Sequence, residues 1–173
     1  MLIKSRRSFR SYKKQDVPSE KISKLIEMLA YPPTGSNVDT LHFSIVGTAE
    51  KMRAISKFTY EKMFAVENPS PIMQFCKAQY EKGADYVYRG APSMIAVSVN
   101  KAKAIAGCEN ADPIIALSYF ELYAQSLGLG TLKRARSERK RTLSNSARLQ
   151  KHRIEHRQNL LPVLFARHRP TPV

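Results

Sequence analysis

At 173 residues with 43% hydrophobic side chains, the chain is long enough for one domain with a buried core and too apolar to be disordered. No apolar run reaches 18 residues, which excludes a membrane-spanning helix, and Met1-Leu2-Ile3 is followed at once by Lys4 and Arg6, unlike a secretory leader, so the expected location is cytoplasmic. The formal charge of +15 is uneven: residues 1–130 hold 17 Lys/Arg against 12 Asp/Glu, residues 131–173 hold 12 against 2, and two thirds of the excess therefore lies in the last quarter.

The first element is a basic segment, Arg6-Arg7-Ser8-Phe9-Arg10-Ser11-Tyr12. Its three guanidiniums offer forked, permanently charged donors that suit a phosphate monoester, although such a cluster also serves simply as a solvated basic end. Apolar residues at Ile22, Leu25, Ile26 and Leu29 then predict an amphipathic helix that begins near Pro18 and stops by Tyr31, because Pro32 and Pro33 remove donors and disfavour helical dihedrals before them. Thr34-Gly35-Ser36-Asn37 reads as a tight polar loop, and His42–Gly47 as a strand into the core in which His42 is expected to be packed rather than to act as a base. Between Ala49 and Glu81, Met52, Ile55, Phe58, Met63 and Phe64 predict a core-filling helix, with Asn68-Pro69-Ser70-Pro71 as a turn into a second helix.

Ala91–Val99 predicts a second strand, near 93–99. Asp112-Pro113 provides an N-cap followed by a proline at the first helical position, so a helix is expected from there to about Leu127, apolar nearly all round, as suits a core or a subunit interface. Gly128 fits the left-handed residue that ends a helix, which is sufficient reason for Gly128-Leu129-Gly130 without a phosphate-loop role. Cys76 and Cys108 lack any CxxC or His-rich company and point to reduced, partly buried thiols rather than a metal site.

The order of Arg6–Tyr12, helix, Pro32-Pro33-Thr34-Gly35-Ser36-Asn37, strand, Tyr88-Arg89-Gly90-Ala91-Pro92 and the helix ending in Gly128-Leu129-Gly130-Thr131 resembles the nitroreductase family of FMN-dependent oxidoreductases over residues 1–131. The resemblance implies an α+β fold, a mixed β-sheet flanked by helices, and a homodimer with FMN at the subunit interface. It further implies that NADH or NADPH passes hydride to the flavin, which then reduces a nitroaromatic, quinone or similar small-molecule acceptor, so that no catalytic side chain is required. By the family pattern Arg6, Ser8 and Arg10 hold the phosphate and the polar edge of the ring, Arg7 contributes backbone and stem, and Pro33, Thr34, Gly35 and Asn37 reach the flavin of the opposite subunit.

After Leu132 the chain departs from the family's aromatic or small-residue continuation and reads Lys133-Arg134-Ala135-Arg136-Ser137-Glu138-Arg139-Lys140-Arg141. All seven glycines and all eight tyrosines lie before Thr131, so residues 132–173 form a basic, compositionally distinct segment that is not an independent domain. Three readings of it compete: a diverged or frame-shifted stretch, a solvated helical tail striped by Leu143, Ala147 and Leu149, or an arm for nucleic acid or an acidic partner. Asn159–Ala166 is its one apolar run and is expected to form a last strand, at a sheet edge because of Pro162. Beside the flavin oxidoreductase stand two alternatives, a degenerate relative that no longer binds flavin and a basic nucleic-acid-binding protein.

Overall fold

The computed structural model describes residues 2–133 and 157–166. The basic run 134–141 and the Leu143, Ala147, Leu149 stripe lie outside them.

Helix α1 (Leu2–Ser5) is a single turn, and α2 (Ser19–Met28) begins directly after Pro18, as the missing proline N–H allows. A one-turn 3-10 helix (Gly35–Asn37) leads into strand β1 (Leu41–Val46), followed by α3 (Ala49–Phe64), α4 (Pro71–Glu81), β2 (Ser93–Asn100), α5 (Cys108–Ser126), β3 (Gly130–Lys133) and β4 (Arg157–Ala166). The Thr48 hydroxyl accepts the Lys51 N–H at the start of α3, and Pro71 opens α4, so the break between the two helices falls at the Asn-Pro-Ser-Pro turn.

The sheet has the order β1-β2-β4-β3, and every neighbouring pair is antiparallel. This corrects the mixed sheet expected from the sequence: among the described residues parallel geometry is confined to an isolated bridge between Ser8 and Thr131. Strand alternation assigns the two faces. Ile95, Val97, Val163 and Phe165 pack with Leu117, Phe120 and Ala124 of α5 and Leu25 of α2, whereas Leu164 and Met94 pack on the other side with Met52 of α3, Tyr12 and Tyr88. The Phe120 and Phe165 rings meet edge to face at 5.3 Å between centroids.

Three local expectations are corrected. Helix α5 starts at Cys108, after Gly107 at φ 88°, so Pro113 lies in its second turn rather than at its first position; the Asp112 carboxylate is turned away to accept the Gly35 N–H at 3.1 Å. His42 is exposed on β1 opposite Ser98, not packed in the core, because Phe43 and Ile45 take the inward positions of that strand. Pro162 sits opposite Ala96 of β2 in a strand flanked on both sides rather than at a sheet edge; among the described residues β3 pairs with β4 over Val163–Ala166. The end of α5 follows the sequence reading: Gly128 at φ 73° donates to the Gln125 carbonyl and Leu129 N–H to the Ala124 carbonyl, a Schellman closure reinforced by Lys21 Nζ on the Leu127 carbonyl. Among the described residues no helix is long and apolar enough to cross a membrane.

Candidate functional site

The Arg6–Tyr12 segment is fixed to the sheet through its backbone and its aromatic residues. Phe9 N–H donates to the Thr131 carbonyl at 2.9 Å, next to the Ser8–Thr131 bridge, and the buried Tyr12 hydroxyl donates to the Phe9 carbonyl at 2.8 Å. Phe9 and Tyr12 are packed among Met52, Tyr88, Ala91 and Leu164, so the intervening polar side chains are directed outward. Arg7, Ser8 and Arg10 are exposed and Arg6 is half-buried. The Arg7 guanidinium folds back onto the Lys4 and Arg6 carbonyls, both at 3.1 Å. Among the described residues the ion pairs are Lys24–Glu20 and Lys133–Glu121, so no carboxylate neutralises Arg6 or Arg10.

The Pro33–Asn37 loop is held at the opposite end of α5. Besides the Gly35 N–H bond to Asp112, a Cβ on Gly35 would stand 2.5 Å from Cys108 Sγ and 2.8 Å from its Cβ, so only glycine lets the loop lie this close to the helix. Ser36 (φ 51°) and Asn37 (φ 57°) are both left-handed, and Asn37 and Pro33 are exposed while Thr34 and Gly35 are half-buried. The basic segment instead meets the far end of α5, where Gln125 Nε2 donates to Ser5 Oγ at 2.6 Å. Asp112 and Gln125 are thirteen positions apart on this helix, about 20 Å at about 1.5 Å per residue. Arg6, Arg7, Ser8 and Arg10 thus lie in one segment, which reaches α5 through Ser5 at Gln125 and through Thr131 at Glu121, and Pro33, Thr34, Gly35 and Asn37 in another, which reaches it at Asp112.

Two polar networks next to the basic segment escaped the sequence reading. Glu121, buried in α5, pairs with Lys133 at 3.1 Å and accepts from the Thr131 hydroxyl at 3.4 Å, and Lys133 Nζ also donates to Ser118 Oγ at 3.1 Å. A charged residue in an otherwise apolar helix was the available signal. Asp85 accepts from Ser56 Oγ (2.9 Å), from the Val87 and Tyr88 N–H groups (2.9 and 2.8 Å) and from the Tyr60 hydroxyl (3.3 Å), which itself receives the Tyr86 and Val87 N–H groups. The Asp85 hub fixes the turn that presents Arg89.

Burial pushes the Tyr12 hydroxyl well above the ordinary tyrosine range, while the positive charges of Arg10 and Arg89 pull it back; burial does the same to Tyr60. The folded state therefore keeps both protons where the unfolded chain loses them. Stability is expected to be unaffected by these groups below about pH 10 and to fall above it, by at most about 1.4 kcal/mol per pH unit for each phenol. Urea midpoints at pH 9 and pH 11 check this, and Tyr12→Phe should flatten the alkaline fall; an equal fall in the variant would exclude Tyr12 as a source.

The model of the nitroreductase family matches residues 3–152. No curated protein matches the sequence. Among solved structures, the chain is similar to a nitroreductase with bound FMN from Desulfitobacterium hafniense (20% identity, TM-score 0.74, covering 99% of this chain and 89% of that one). It is also similar to a putative NADH oxidase from Clostridium acetobutylicum (19%, TM-score 0.72, 99% and 89%). A third match is an FMN-dependent nitroreductase from Mycobacterium smegmatis in complex with NADPH (19%, TM-score 0.66, 96% and 86%).

Proposed function

Because the chain belongs to the nitroreductase family, we propose that it is an FMN-dependent oxidoreductase, with residues 1–131 as the flavin-binding body and 132–173 as its basic continuation. The observation that carries this reading is the basic segment itself: pinned to Thr131 through Phe9, with Arg6 and Arg10 unpaired by any carboxylate among the described residues, it is a prepared anion site. That donor set fits a phosphate monoester joined to a polar ring edge. Bound FMN would supply the redox chemistry, taking a hydride from NADH or NADPH and passing electrons to a nitroaromatic, quinone or similar small acceptor.

In this reading Arg6 and Ser8 hold the phosphate, Arg7 contributes backbone and stem, and Arg10 sets a positive charge at the pyrimidine edge of the ring, where it favours negative charge. Pro33, Thr34, Gly35 and Asn37 serve the flavin of a second copy. Their attachment to α5 at Asp112, while the basic segment meets the helix at Glu121 and Gln125, supports a homodimer in which each site draws one set of residues from each protomer.

The visible spectrum after FMN addition and desalting, followed by NADH under anaerobic conditions, tests the reading. Stoichiometric yellow flavin that bleaches supports it. A colourless protein refutes it and leaves a flavin-reductase fold without its chemistry, or, if random DNA is then bound with a steep salt dependence, a nucleic-acid-binding protein. Arg6→Ala is expected to weaken FMN binding more than tenfold, about 1.4 kcal/mol, in a flavin titration. Unchanged affinity would remove Arg6 from the site.

A further inference from the structure

Arg89 has an unusual backbone. Its φ of 58° is left-handed although it is not glycine, and Gly90 follows at φ 64°. Such a conformation is uncommon for a long side chain and persists only where its surroundings enforce it. Here the enforcement is visible: Asp85 accepts the Val87 and Tyr88 N–H groups through its carboxylate and the Arg89 N–H through its carbonyl at 3.0 Å, and the Tyr88 hydroxyl is bonded to Thr59 at 2.9 Å. What this strained turn presents is a guanidinium lying 4.2 Å over the centre of the half-buried Tyr86 ring. Tyr86 in turn meets the exposed Phe75 of α4 at right angles, with 5.0 Å between centroids.

No carboxylate pairs with Arg89 among the described residues. The turn that carries it packs through Tyr88 and Ala91 against Phe9 and Tyr12, the anchors of the basic segment, so a guanidinium without an ion pair stands in a turn that lies against that segment. With its Cζ over the ring, the Arg89 guanidinium has N–H donors suited to a forked bond to a carboxylate, and the Tyr86–Phe75 pair offers an apolar wall for a planar ring.

We propose that Arg89, held over Tyr86 by the 85–90 turn, selects aromatic electron acceptors that carry a carboxylate. This rests on the flavin reading above, since the turn packs against the segment which that reading places at the flavin. It adds a substrate class to that reading and places its specificity in the 85–90 turn.

The test uses FMN-loaded protein with NADH as donor and compares 4-nitrobenzoate with the neutral 4-nitrobenzamide. Arg89→Met is expected to lower the ratio of kcat/KM for the anionic over the neutral acceptor about tenfold, as loss of one charge-assisted bidentate contact would. Arg89→Lys should restore part of the ratio, and Arg89→Gly, which relieves the left-handed backbone and so guards against misfolding, should lower it as Arg89→Met does. Benzoate, which is not reduced, gives a readout without turnover: its calorimetric Kd should rise by a similar factor in Arg89→Met. An unchanged ratio, or an equal fall for both acceptors, overturns the assignment while leaving the flavin reading intact. A preparation that takes up no FMN overturns both.

Discussion

Replacing Lys133 by methionine is expected to destabilise the fold by about 3 kcal/mol, because it strands a buried carboxylate. Glu121 is only 7% exposed in its side chain and faces Lys133 at 3.1 Å; without that ammonium its remaining partner is the Thr131 hydroxyl at 3.4 Å. The two ends of the pair are unequal. Lys133 is 31% exposed and still bonded to Ser118, so Glu121→Leu leaves a cation that reaches water and is expected to cost about 1 kcal/mol or less. The double variant Glu121→Leu/Lys133→Met removes both charges and should approach the parent, which makes the coupling energy close to the sum of the two single costs. Urea denaturation of the four proteins measures it. Additive single effects would show that the pair is no more than a surface contact.

Asp85→Ala is expected to cost about as much, roughly 3 kcal/mol, by a different route. One carboxylate accepts from Ser56, Tyr60 and two backbone N–H groups, and the turn it holds is half-buried against α3 and α4, where water replaces those bonds poorly. Asp85→Asn keeps a carbonyl that accepts the Val87 and Tyr88 N–H groups and should cost about half as much. Thermal unfolding ranks the three proteins, and near-ultraviolet circular dichroism follows the Tyr60 and Tyr80 rings, which stack at 3.7 Å beside the hub. An alanine variant within about 0.5 kcal/mol of the parent would mean that the turn is held by packing alone.

What was legible in the sequence was local. The stripe of α2, the Asn-Pro-Ser-Pro break between α3 and α4, and the Gly128 closure of α5 each depend on residues within a few positions of one another, and each appears where it was read. The basic segment was legible as charge, but Phe9 and Tyr12, the residues that anchor it, act through Thr131 and the Tyr88 cluster, far away in the chain. The errors share a cause. Asp112 looked like an N-cap because the distant Gly35 N–H that claims it was invisible; His42 looked buried because a strand's inward face is set by its partners; Pro162 looked like an edge residue because the place of β4 between β2 and β3 is a property of the assembled sheet. Asp85, Glu121 and Arg89 likewise gain their significance from long-range neighbours.

The position of β4 between β2 and β3 has a consequence for the order of events during synthesis. Among the described residues β3 pairs only with β4, so this sheet partner does not exist until the chain has grown from Lys133 to Arg157 and beyond, a delay of 24 residues, or roughly 1–5 s at ordinary ribosomal rates. Through that interval Ile95, Val97 and Phe120 wait for Val163 and Phe165 to cover them. The emerging polypeptide therefore passes through a stage with an open apolar seam along the middle of its sheet, a natural target for a ribosome-associated chaperone. Its yield in a cell should depend on how fast that seam closes at least as much as on the stability of the finished fold.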